Sequence, residues 1–162
     1  MDVNAFYALF STTCFALVGL WWNAVAARIK AFKDPRMKRD ATGVYFSFLI
    51  PVMMGLGAQV TGAGNALWRA IFVIGALAGI LVWVGIIRRA QPTDPPGFFR
   101  RNRWIVLVLY TLILLGSLGL DKMVSATGIT PIQVEAVLLC LLVLAGHGLS
   151  WETLMEVTPA TE

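Results

Sequence analysis

RIKAFKDPRMKRD, Arg28 to Asp40, decides how this chain is read. It carries Arg28, Lys30, Lys33, Arg36, Lys38 and Arg39 against only Asp34 and Asp40, and an apolar run stands on either side of it. Short basic loops between hydrophobic helices stay on the cytoplasmic side of a membrane, so this loop orients the segments around it. A second basic stretch, Arg88 to Arg103, repeats the signal. Together the two hold eleven of the thirteen Lys and Arg, leaving Arg69 and Lys122 elsewhere.

The composition agrees with a membrane protein. Of 162 residues 58% are hydrophobic and 14% charged, with a mean hydropathy of +0.76. A soluble domain has about 45–50% apolar and about 25% charged residues. The formal charge of +4 is concentrated where topology charges belong, which argues for a lipid bilayer and against nucleic acid as partner.

Five apolar runs are long enough, or nearly so, to cross the hydrocarbon core at about 1.5 Å per residue. The expected fold is all-α: a polytopic integral membrane protein with five transmembrane helices in one bundle. The helices are placed near 5–27, 44–61, 67–87, 104–120 and 131–150. Residues 1–150 form the transmembrane domain, with the N-terminus outside, and 151–162 form a cytoplasmic tail. The expected location is the plasma (inner) membrane. The first run is not read as a cleaved signal, because Met1 to Asn4 has no Lys or Arg and carries Asp2. Trp21 and Trp22 near its inner end suit an interfacial aromatic belt.

The second run is the least regular. Pro51, Gly55 and Gly57 interrupt it, so it reads as a helix kinked near Pro51, with a re-entrant loop as the alternative. A full crossing is preferred because it puts both basic loops on one face. At the start of the fifth run Thr130 then Pro131 reads as an N-cap followed by proline at the first helical position.

Small residues allow helices in lipid to approach closely. Gly75 and Gly79 form a GxxxG, and with Gly116 they are expected at helix contacts. Arg88, Arg89, Arg100, Arg101 and Arg103 either make an ordinary topology loop or lie on an anionic leaflet. Glu152 and Glu156 share a face if helix continues that far, and are placed to pair with Arg100, Arg101 or Arg103.

Little in the sequence points to chemistry, and no catalytic residue, metal ligand or cofactor is assigned. Cys14 and Cys140 lie in apolar runs as small hydrophobes, with no CxxC. His147 is the single histidine, which excludes haem held by two histidines of one chain. It reads as a packed or interfacial residue, or as a candidate inner polar site. Gln59, Asn65, Arg69, Asp121 and Glu135 are candidates for an outer polar cluster. Glu135 is expected to be shielded from lipid and to face Arg69 or Gln59. Its bland reading is a carboxylate near a helix N-terminus, favourable by about 0.3–1 kcal/mol.

The span interiors carry almost no ionisable groups, whereas ion-coupled transporters usually keep some at mid-depth. The expected function is therefore that of a non-catalytic subunit or assembly partner, joining other membrane proteins or copies of itself. An oligomeric channel or small-solute transporter is the alternative, and an intramembrane enzyme the weakest reading.

Overall fold

The computed structural model describes residues 2–62, 67–90, 97–119 and 130–156, and among these every regular element is helical. The helices are α1 (Val3–Ala27), α2 (Pro35–Thr61), α3 (Leu67–Arg88), α4 (Phe98–Arg101), α5 (Trp104–Ser117) and α6 (Pro131–Glu156), with a 3-10 turn at Ala31–Lys33. Four of them, α1, α2, α3 and α6, are long and apolar enough to cross a membrane. With 14 residues, α5 is about 21 Å long, less than a hydrocarbon core of about 30 Å.

Local chemistry sets the helix starts. The Asp2 carboxylate accepts from the N–H groups of Asn4 and Ala5 and caps α1. Asp34 accepts from the N–H of Arg36, with Pro35 at the first helical position, so α2 begins inside the basic stretch. The expected start at 44 is therefore nine residues late. The Asp34–Pro35 pair is the same cap signal that marks Thr130–Pro131.

Two other boundaries change. The last helix runs to Glu156 rather than 150, so the start of the expected tail is helical. The fourth long helix ends at Ser117 rather than 120. The second run is one continuous helix through Pro51, as preferred over a re-entrant loop. Pro51 has no N–H to give to the Ser47 carbonyl, yet the residue is buried among neighbouring helices that hold the segment.

The five long helices alternate in direction. Tyr7 Oη donates to the Ile132 carbonyl at 3.0 Å, joining the starts of α1 and α6. Arg28 Nη1 donates to the Leu154 carbonyl at 3.2 Å, joining their ends. Arg39 Nη1 donates to the Arg89 carbonyl at 2.8 Å, which sets the start of α2 beside the end of α3. Arg103 meets Asp40, and Ser117 meets Glu135, so α5 runs from the start of α2 to the start of α6. The bundle thus has an Asp40 end, where the described basic residues other than Arg69 gather, and a Glu135 end.

The centre of the bundle is α2, packed against α1, α3 and α6, while α5 packs on α3 and α6. Its buried residues include Val44, Phe48, Val52 and Met54, which meet Phe72, Ala76 and Trp83 of α3 and Leu139 and Leu142 of α6 in one apolar core. Outward positions are also apolar: Leu9, Leu20, Ile74, Leu81 and Leu144 are each more than 60% exposed. Apolar groups on both sides of a helix suit a lipid surround. Trp21 is buried edge-on to Phe32, so of the two tryptophans only Trp22 faces outward.

Candidate functional site

The most concentrated polar chemistry lies at the Asp40 end. Met37, Asp40, Gly43, Val44, Ser47 and Phe48 fall on one buried stripe of α2, so Asp40 occupies a core position and is 2% exposed. A carboxylate there must be compensated. Arg39 Nε lies 3.0 Å and Arg103 Nη2 3.3 Å from Oδ1. Arg100 Nε lies 3.0 Å from Oδ2, close but off the line of a hydrogen bond.

The cluster continues into α6. Arg100 Nη1 pairs with Glu156 Oε2, and Arg36 Nη2 reaches Glu156 Oε1 at 3.2 Å. Glu152 accepts from the main-chain N–H groups of Phe99 at 2.9 Å and Arg100 at 3.0 Å, so α6 caps the short helix α4. Gly97 makes room for this: a Cβ there would overlap the Glu152 carboxylate. Among the described residues the cluster comprises four arginines and three carboxylates. Arg100 Nη2 is buried with no hydrogen-bond partner among the described residues.

This arrangement locks α2, α4, α5 and α6 together at the Asp40 end. It also revises the lipid-facing reading of the second basic stretch. Arg100 and Arg103 are 7% and 5% exposed and turn inward onto Asp40, whereas Arg88, Arg89 and Arg101 stay exposed. The carboxylate of Asp40 is the stronger attraction because it is buried and otherwise uncompensated. Asp40 was the residue missed. Its signal was its spacing of three and four from Met37, Gly43 and Val44, legible only once α2 is known to start at Pro35.

At the Glu135 end Arg69 lies within electrostatic reach of Glu135, while Gln59 stands apart from them. Glu135 is 1% exposed and lies against Gly116, with Ser117 Oγ 3.1 Å from its Oε1. Its Oε2 has no hydrogen-bond partner among the described residues. Gln59 is exposed, one position past buried Ala58, so the turn of α2 carries it away from Glu135. Arg69 is half-buried, its guanidinium carbon 5.3 Å from the centroid of the Trp68 ring. Asn65 and Asp121 lie outside the described residues.

The remaining candidates are at helix surfaces. His147 is exposed and its ring is 6.2 Å from that of Phe48, edge-on. Cys14 is buried and Cys140 exposed. The glycines lie at contacts between helices of this chain. A Cβ on Gly75 would meet Met54, one on Gly79 the ring of Tyr110, and one on Gly116 the Glu135 carboxylate. Gly55 faces Phe10 and Ser11 of α1 and Gly57 faces Ile71 of α3, so these residues, read as part of an interruption, are where α2 admits its neighbours. Thr12, Thr13 and Thr111 each return their hydroxyl to the carbonyl four residues back.

Among the described residues no three His, Cys, Asp or Glu side chains gather as a metal site. The chain matches no protein-family model, and no characterised protein or solved structure is significantly similar to it.

Proposed function

We propose that this chain is a non-catalytic subunit or assembly partner of a membrane complex, crossing the plasma (inner) membrane five times with its Asp40 end in the cytoplasm. One observation carries the reading. The close contacts between helices are filled by side chains of the same chain, as at Gly55, Gly75, Gly79 and Gly146, so the bundle meets its surroundings through its outer faces. Among the described residues its buried Asp, Glu and Arg side chains sit at the two ends: Asp40, Arg100 and Arg103 at one, Glu135 at the other.

The fifth crossing rests on α5. Its first turn is beside Asp40 and its last beside Glu135, contacts near both ends of the bundle that support the crossing of this shorter helix. Cytoplasmic placement of the Asp40 end rests on the gathered Lys and Arg. Single cysteines in a background lacking Cys14 and Cys140 test this orientation. A membrane-impermeant maleimide on intact cells is expected to label Thr130→Cys and to reach Lys33→Cys only after lysis. The reverse pattern overturns the orientation.

The second reading, an oligomeric channel or small-solute carrier, is favoured by four buried polar atoms with no hydrogen-bond partner among the described residues. They are Ser11 Oγ, Trp83 Nε1, Tyr110 Oη and Glu135 Oε2. Buried groups of this kind are costly unless something else meets them. Purification in mild detergent separates the two readings. Stoichiometric co-purification of other membrane chains is the expected result. A lone symmetric oligomer that supports solute flux in liposomes overturns the first reading in favour of the second.

A further inference from the structure

A furrow runs along the outside of the bundle between α2 and α3, and its two halves differ in chemistry. At the Asp40 end it opens into a cleft of about 850 Å³. Arg36, Lys38, Arg39 and Arg89 stand around its mouth, while Phe46, Leu81 and Val82 line it deeper in. Gly85 contributes to the same wall, and a Cβ added there meets nothing within 4 Å, so the missing side chain is open space. Toward the other end the same two helices form a second cleft of about 620 Å³, walled by Leu49, Met53 and Val60 of α2 and Ile71, Ile74 and Ala78 of α3. The two are in register. Thr42, Phe46, Leu49 and Met53 follow one stripe of α2, and Gly85, Leu81, Ala78 and Ile74 follow one stripe of α3.

The charge at the mouth is one-sided. Among the described residues lining it, four cations face one carboxylate, Asp34, which already accepts from the N–H of Arg36. Arg36 and Arg39 also belong to the Asp40 cluster, whereas Lys38 and Arg89 are exposed at the cleft. The walls below are apolar and open sideways: Leu81 is 73% and Ile74 68% exposed. A soluble anion would use the cations and leave the apolar floor empty. A neutral helix would use the floor and leave the cations unmatched.

We infer that this furrow is a binding site for one anionic phospholipid of the leaflet at the Asp40 end. Its phosphate lies among Lys38, Arg89 and the flanking arginines, and an acyl chain lies over Gly85 between Phe46 and Leu81. Each cation near an anionic surface contributes a factor of about five in binding. Lys38 and Arg89 carry most of the selectivity, because Arg36 and Arg39 are shared with carboxylates. The site does not depend on which complex the bundle joins.

The test uses the full chain in neutral detergent, with phosphatidylglycerol, phosphatidylcholine of the same acyl chains, or inorganic phosphate added, and reads the melting temperature. Phosphatidylglycerol is expected to raise it saturably, and the other two to leave it unchanged. In Lys38→Gln/Arg89→Gln the apparent affinity is expected to fall about thirty-fold. Gly85→Phe, which fills the acyl slot, is expected to abolish the shift. Arg88→Gln/Arg101→Gln removes the same charge at exposed positions outside the cleft and is expected to retain it. The melting temperature without lipid shows that each variant is folded. Equal shifts with both lipids, an equal shift with inorganic phosphate, or equal losses in the two double variants would each overturn the proposal.

Discussion

Asp40→Ala is expected to destabilise the folded bundle by about 3–5 kcal/mol, the range for breaking a buried ion cluster by removing one partner. The cause is what remains. Arg100 and Arg103 are buried and would be left with their charges and less to balance them. Arg100 retains Glu156, but Arg103 loses the carboxylate it meets at Oδ1. Asp40→Asn preserves shape and removes charge, so it is expected to show most of the loss. Replacing Asp40 together with its two buried arginine partners, as Asp40→Leu with Arg100→Met and Arg103→Met, is expected to be milder than Asp40→Ala alone, because neither buried arginine is left facing a missing carboxylate. Unfolding in mixed detergent–SDS micelles measures all three. A triple variant as unstable as the sum of its single changes would refute the coupling.

Gly79→Ala is expected to cost about 1–3 kcal/mol, while Gly85→Ala on the same helix is expected to be neutral or slightly stabilising. Alanine is the better helix former at both positions, by about 1 kcal/mol. What differs is the space. A Cβ on Gly79 would lie on the ring of Tyr110, which is wholly buried and has no room to retreat. A Cβ on Gly85 meets nothing within 4 Å. Tyr110→Leu removes the opposing ring, so Gly79→Ala combined with it is expected to lose less than the two single losses added. The same micelle unfolding decides this. Equal effects at Gly79 and Gly85 would mean that α3 and α5 do not meet as described.

The Asp40 and Gly79 contacts mark where reading from sequence stops. Gly79 was legible as a packing residue because small side chains at a spacing of four make a recognisable surface. Its partner was not legible, since nothing in α3 itself says whether Tyr110, a lipid or another chain fills the gap. Asp40 was hidden for a different reason. It ends a run of charges, and a charge in such a run is ordinarily solvated. Only a helix start at Pro35 places it on the stripe of Val44 and Phe48. Gln59 is exposed for the mirror reason: hydropathy gives a residue's depth along a helix, but not its rotation about the helix axis.

Hydropathy and charge along the chain alone determined that it is helical with helices long and apolar enough to cross a membrane, where those helices lie to within a few turns, and which ends collect the basic residues. These properties follow from partitioning each segment between lipid and water, which depends on that segment's own composition. Tertiary structure decided that Arg100 and Arg103 turn inward to Asp40, that Glu135 lies against Gly116 and Ser117, and that a furrow stays open between α2 and α3. Each of these depends on how one helix is rotated against another. Lipid offers little apolar driving force to set that rotation, so it is settled by close contacts and ion pairs between residues far apart in the chain.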